Sequence, residues 1–253
     1  MNNIKAVILD LDGTLLNDSK EISDDTISIL KYIKNDIKII PASARPFCRI
    51  KPYLEQLDLL DSNNYSICFN GSLIVNNMEN VIFSSNINED VIIKLDDFIL
   101  ENNIDWTFYL YDSRVLRKDI SDIDEFVTRN RIYKIVGISD CNVIDKIRRS
   151  LPSFISDNLE ITCSELDRIE FVNKGITKVN AIEMLLNKLN ISNKEIIAIG
   201  DGDNDIDMIR YAGIGIAMLN APEKVKENAD FITDYSNNDD GVYHTIVDFI
   251  IDK

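Results

Sequence analysis

The stretch Val7-Ile8-Leu9-Asp10-Leu11-Asp12-Gly13-Thr14-Leu15-Leu16 constrains the fold more than any other part of the chain. Ala6 to Leu9 is an apolar run with β-branched residues, which reads as a buried strand. Carboxylates follow at Asp10 and Asp12, and Gly13-Thr14 turns the chain away. In an extended chain that spacing puts both acids on one face. At the carboxyl end of a buried parallel strand, such a face looks into the crevice where open α/β sheets bind ligands. Two acids so close would repel unless a cation lay between them, and their hard oxygens suit Mg2+. The same residues could equally form an ordinary strand end with aspartate as turn former. The rest of the chain has to decide.

Beyond this stretch, strand and helix patterns alternate. Ile22 to Ile33 has helical periodicity, with Ser19 or Ser23 available as cap. Ile37 to Ile40 reads as the second strand and runs into Pro41-Ala42-Ser43-Ala44-Arg45-Pro46, a small-residue turn whose hydroxyl and arginine could meet an oxyanion. A helix is expected from Phe47 to about Leu60, then a third strand over Ser66–Phe69 closed by Asn70-Gly71. This is the rhythm of a doubly wound, parallel, Rossmann-like sheet.

The rhythm breaks near residue 80. Short extended pieces, the helix 89–102, a hairpin around Asp112-Ser113 and further strands to Val172 make an α+β segment. Residues 81–172 are therefore expected to form an inserted domain, with 1–80 and 173–253 as the core. The aromatics Trp106, Phe108, Tyr109 and Tyr111 are expected in its interior. The alternation resumes with Lys174-Gly175-Ile176-Thr177-Lys178, where a lysine in the first helical turn opposes the helix dipole and makes more sense with something negative in front of it. The buried strand Ile196–Ile199 then ends in Gly200-Asp201-Gly202-Asp203-Asn204-Asp205. Its glycines allow a sharp turn, and Asp201 and Asp205 can converge on one point. The run lacks the residue order and closing glutamate of a calcium loop.

The chain of 253 residues carries 43 acidic against 27 basic residues, for a formal net charge of −16, and shows no basic run. Nucleic acid and membranes are therefore not expected as partners. No stretch approaches the roughly 18 apolar residues of a membrane span, and the N-terminal apolar stretch is too short for a signal peptide. Cys48, Cys68, Cys141 and Cys163 are scattered and the chain has one histidine, His244, so a zinc site is not expected. Reduced, buried thiols in a cytoplasmic protein are the simplest account. His244 itself reads as a surface or packing residue.

In order, then, the chain presents D-x-D-G-T, a hydroxyl, a lysine and G-D-x-x-N-D at successive strand ends. That set resembles the haloacid dehalogenase superfamily of phosphohydrolases, and most nearly its Cof-like branch with a large class IIB cap. The likeness extends through Phe69-Asn70-Gly71, Ala221-Pro222-Glu223-Lys224-Val225-Lys226 and Asp240-Gly241-Val242.

The resemblance implies a Mg2+-dependent phosphatase of small phosphorylated metabolites, such as sugar phosphates, in a monomer or weak homo-oligomer. It implies Asp10 as nucleophile and Asp12 as general acid and base. Phosphate would be held by Leu11, Ser43, Ala44, Lys178 and Asn204. Asp10, the backbone carbonyl of Asp12, and Asp201 would hold Mg2+, with Asp205 steadying the metal's water shell. The family's usual Thr-Gly-Arg is Ser43-Ala44-Arg45 here, and Val179 follows the lysine where glycine is frequent. A phosphomutase would carry the same motifs and would need the cap to retain a bisphosphate. A non-catalytic regulatory binding protein would be expected to have lost a charged motif residue, and none is lost.

Overall fold

The computed structural model describes residues 4–102, 104–162 and 167–252. Its first half runs β1 (Ala6–Leu9), α1 (Asp24–Ile33), β2 (Lys38–Pro41), α2 (Phe47–Gln56), β3 (Tyr65–Cys68), β4 (Leu73–Asn76) and β5 (Val81–Ser84). The middle runs α3 (Glu89–Glu101), β6 (Asp105–Tyr109), β7 (Arg114–Leu116), α4 (Ile123–Arg129), β8 (Lys134–Ile138), α5 (Cys141–Arg149), α6 (Ser153–Asn158), β9 (Leu159–Thr162) and β10 (Arg168–Asn173). The chain ends with α7 (Lys178–Leu189), β11 (Ile196–Gly200), α8 (Ile206–Tyr211), β12 (Ile214–Ala217), α9 (Glu223–Lys226), β13 (Phe231–Ile232) and α10 (Gly241–Ile246).

The main sheet has the order β13-β12-β11-β1-β2, and every pairing in it is parallel. Helices cover both faces, so all four residues of β1 and all five of β11 are buried. This is why both strands read as unbroken apolar runs. β1 is flanked by β2, its next strand in sequence, and by β11, which comes far later. It therefore sits at the switch point where such sheets open a ligand crevice. Ser23 caps α1 by accepting from the N–H of Thr26, and Asp24 and Asp25 complement the helix dipole.

The third strand departs from the expected pattern. β3 joins the parallel sheet through a single parallel bridge between Ala42 and Ile67, beside β2. It pairs instead with β4, and β4 with β5, in a three-stranded antiparallel sheet. The tight turn at residues 69–72 sends the chain straight back, which favours an antiparallel partner over a crossover. Because β5 pairs with β4, residues 81–84, expected to open the insertion, hydrogen-bond on the core side.

From Ile87 to Phe171 a separate apolar cluster packs α3 to α6 against an antiparallel sheet of order β7-β6-β8-β10-β9. Trp106 and Phe108 lie in its interior as expected. Tyr109 and Tyr111 do not: they are half-buried and pack toward the core cluster, to which Tyr133 also belongs. The helix α6, absent from the sequence reading, follows Pro152. Cys68 is buried, but Cys48 and Cys141 are exposed, contrary to expectation, while Cys163 lies outside the described residues. His244 stacks on Tyr235, ring centroids 3.5 Å apart, a packing role. Among the described residues no helix is long and apolar enough to cross a membrane.

Candidate active site

The ladders of the central strands run on into the loops and fix them. The N–H of Asp10 donates to Ile199 O (3.1 Å), and that of Ala42 to Leu9 O (2.8 Å). Asp10, Asp201 and the Ser43 turn are thereby brought to one end of adjoining strands. Carboxylate oxygens of Asp10, Asp201 and Asp205 lie within 4.8 Å of one another. Lys178, at the first turn of α7, projects Nζ to 2.6 Å from Asp10 Oδ1 and 2.7 Å from Asp205 Oδ1. A cation at a helix N-terminus is unfavourable by itself, and these two carboxylates account for it. Thr14 Oγ1 donates to Asp201 Oδ1 at 2.8 Å. Gly13, at φ +83°, leaves room for that carboxylate: a Cβ there would meet Asp201 Oδ2 at 2.2 Å.

The electrostatics follow from burial. It lifts the Asp10 carboxyl well above the usual range; Lys178 opposes this, and Asp205 and Asp201 add to it. Asp201 is pushed up to about 6, by burial first and then by the Asp205 charge, against the Thr14 hydrogen bond. Burial would lower Lys178, but Asp10 and Asp205 outweigh it and hold the ammonium charged.

Asp12 shares the cavity with Asp10 but not its partners. β1 ends at Leu9, so the chain is already turning at Asp12 and its carboxylate stands outside the acidic group. Arg45 donates to it from Nε and Nη2, both at 2.6 Å, and Lys20 from Nζ at 2.7 Å. Partial burial would raise the Asp12 carboxyl, but hydrogen bonds from Arg45 and Lys20 bring it below the usual value. Lys20 was not anticipated, and nothing in its neighbours in sequence marks it.

Asp205 joins the acidic group more closely than its expected role. Its Oδ1 is held by Lys178, and its Oδ2 accepts from the N–H groups of Asp201 (3.1 Å) and Gly202 (2.9 Å). With both oxygens so engaged, Asp10 and Asp201 are the better-placed ligands. All the side-chain donors are hard carboxylate oxygens with no sulfur or imidazole among them, a set that fits Mg2+.

A cavity of about 760 Å3 opens above these groups. Asp10, Asp12, Ser43, Ala44, Asn204, Asp201 and Asp205 line its floor, and Tyr109, Arg114, Lys134, Arg168 and Glu170 of the inserted sheet line its roof. Leu11 and Lys178 are not among its lining residues. Leu11 is fully buried, with its carbonyl accepting from Thr14 and Leu16, and Lys178 lies behind Asp10. Ser43 Oγ accepts from the N–H of Arg45 at 3.2 Å.

A family model of haloacid dehalogenase-like hydrolases matches residues 7–246. YxeH of Bacillus subtilis is 31% identical over 98% of this chain and 99% of its own. The same organism's 5-amino-6-(5-phospho-D-ribitylamino)uracil phosphatase YcsE is 31% identical over 98% of this chain and 97% of its own. Among solved structures, a haloacid dehalogenase-like hydrolase from Bacteroides thetaiotaomicron superposes with a TM-score of 0.84 at 28% identity, covering 98% of this chain and 100% of that one.

Proposed function

The chain belongs to the haloacid dehalogenase-like hydrolases, and from that premise we propose that it is a Mg2+-dependent phosphatase of small phosphorylated metabolites. The observation that carries the reading is the convergence of Asp10, Asp201, Asp205 and Lys178 at the end of the central strand, under a cavity large enough for a metabolite.

In this reading the Asp10 carboxylate attacks phosphorus, forming an O–P bond as the ester O–P bond breaks. Asp12, protonated once it leaves Arg45 and Lys20, gives that proton to the departing oxygen and then, as the carboxylate, takes one from the water that attacks the aspartyl phosphate. Phosphate and free Asp10 result. Asp12 must first swing from Arg45 and Lys20 toward the leaving group. Lys178 favours the anionic form of Asp10 against its burial, and Ser43, the Leu11 and Ala44 backbone and Asn204 hold phosphoryl oxygens. Asp10, Asp201 and the Asp12 carbonyl would hold Mg2+, which when bound offsets the repulsion between Asp10 and the phosphoryl group.

The insertion, residues 81–172 in outline, acts as a cap that excludes bulk water and selects the leaving group. In this reading the protein works in the cytoplasm, where such metabolites are made and used, as a monomer or weak homo-oligomer. The test is phosphate release from a panel of phosphorylated metabolites, with the substrate named for YcsE among them. Release should require Mg2+ and stop with EDTA. Full turnover after exhaustive chelation would refute the reading. Asp12→Asn should accumulate phosphorylated Asp10 and turn over about 100- to 10000-fold more slowly, whereas Asp10→Asn should trap no phosphate.

A further inference from the structure

The turn Phe69-Asn70-Gly71 has no part in that chemistry, yet the chain holds it in a strained form. Phe69 and Asn70 both lie in the left-handed region, at φ +51° and +56°. Asparagine tolerates this; for a buried phenylalanine it is an outlier of the kind that gathers at functional sites.

The turn makes contact in four directions. The N–H groups of Phe69 and Asn70 donate to Arg45 O (3.1 Å) and Ser43 O (3.0 Å), tying it to the loop after β2. Gly71 lies so close to Thr177, the cap of the helix bearing Lys178, that a Cβ would come 2.3 Å from the Thr177 carbonyl oxygen. Asn70 Oδ1 accepts from Asn204 Nδ2 at 3.1 Å. On the opposite side, Asn70 Nδ2 donates to Glu170 Oε2 at 2.9 Å and to Thr162 Oγ1 at 3.3 Å, both on strands of the inserted sheet.

The inserted sheet meets the turn on a broad front. Lys134 Nζ reaches Glu170 Oε2 at 3.2 Å and the carbonyl of Ala44 at 2.9 Å. The Phe69 ring stacks on Tyr133 with centroids 5.4 Å apart, and Ser72 Oγ donates to Tyr133 O at 3.2 Å. The polarity of this chain of bonds is forced. The Glu170 carboxylate, paired with Lys134, can only accept, so Asn70 must turn its amide nitrogen toward it. Its oxygen then faces Asn204, which must present its own nitrogen.

We propose that Asn70 is a positioning residue that couples seating of the inserted domain to the orientation of Asn204, and so readies the phosphate site only when the cavity is roofed. This rests on the phosphatase reading above. With Glu170 in place the Asn70 amide cannot flip; with Glu170 withdrawn it can, and the Asn204 amide loses its fixed sense.

The test is a reciprocal exchange of donor and acceptor. Asn70→Asp keeps the acceptor for Asn204 and a side chain tolerant of the left-handed backbone, but sets a second carboxylate against Glu170. Activity on the best ester of the panel should fall roughly ten- to hundredfold in kcat/KM. Adding Glu170→Gln, whose amide can donate to the introduced carboxylate, should restore most of it. A merely structural residue would show no such rescue.

Deuterium exchange of residues 133–136, read by mass spectrometry without substrate, reports seating apart from catalysis. It should quicken in N70D and slow again in N70D/E170Q. Unchanged exchange in N70D, or failure of E170Q to reverse it, overturns the coupling. If the wild-type chain released phosphate from no ester, the phosphatase reading would fall while the exchange arm still judged the coupling. Should N70D not fold, Asn70→Gly keeps the backbone conformation and deletes all three side-chain hydrogen bonds; faster exchange supports the proposal and unaltered exchange overturns it.

Discussion

Arg45 holds Asp12 at both carboxylate oxygens, its Nε and Nη2 each 2.6 Å from their acceptors. This planar fork favours the charged form of the acid until a substrate competes for it. Replacing Arg45 by Met removes the stronger of the two cations on Asp12, leaving Lys20 alone. The Asp12 carboxyl should rise toward its ordinary value, and because it must carry a proton to the leaving oxygen, the alkaline limb of the kcat/KM profile should move to higher pH. An unmoved limb with reduced kcat would mean that Arg45 serves substrate rather than Asp12.

Lys178 is 2% exposed and paired with two carboxylates. Lys178→Met would leave Asp10 and Asp205 facing each other without a counter-charge. Removing one partner of a buried ion pair costs about 3–5 kcal/mol, so urea unfolding should show a loss of that size together with loss of phosphatase activity. Added Mg2+ should recover part of the stability, because it would supply charge at the same place.

The raised carboxyl of Asp201 sets a pH dependence whose sign is fixed. An aspartate whose folded-state value is about 6 against a usual 3.8 binds its proton more tightly when folded. Its contribution to stability is therefore lost as pH rises from 3.8 to about 6, and it stays lost above. A cation competes with that proton, so Mg2+ should raise the melting temperature more at pH 7.5 than at pH 5. Equal shifts at the two pH values would argue against Asp201 as a ligand.

Gly13→Ala combines a left-handed backbone with a Cβ directed at Asp201. The carboxylate should be displaced while the buried strands on either side stay intact. Calorimetric titration should find Mg2+ affinity reduced at least about tenfold, since misplacing a ligand or its support typically costs that much, with near-native circular dichroism.

The sequence revealed the site where chemistry clashed with its local setting. Acids at the ends of apolar strands marked Asp10 and Asp201, and a lysine at the wrong end of a helix marked Lys178. The extended chain assumed for Asp12 ends at Leu9, so Asp12 reaches the cavity it shares with Asp10 from a turn and outside the acidic group. β3 looked like a further parallel strand because nothing in Ser66–Phe69 distinguishes a parallel from an antiparallel partner; the turn after it decides. The Asn70–Glu170 contact joins residues 100 positions apart, and no periodicity carries such information.

The chain enters and leaves the inserted sheet side by side, with Asn173 Nδ2 donating to Ser85 Oγ at 3.0 Å. This adjacency bears on how the chain is made. Ser85 to Asn173 is complete, with its own apolar cluster, before β11 has been translated. Once folded, that segment brings its two ends together and shortens the tether between β1 and its later partner. The entropic saving is modest, about 0.6 kcal/mol for each halving of a loop. It nevertheless comes while the first half of the main sheet still waits for its second, so on the ribosome the insertion is expected to be a scaffold before it is a lid.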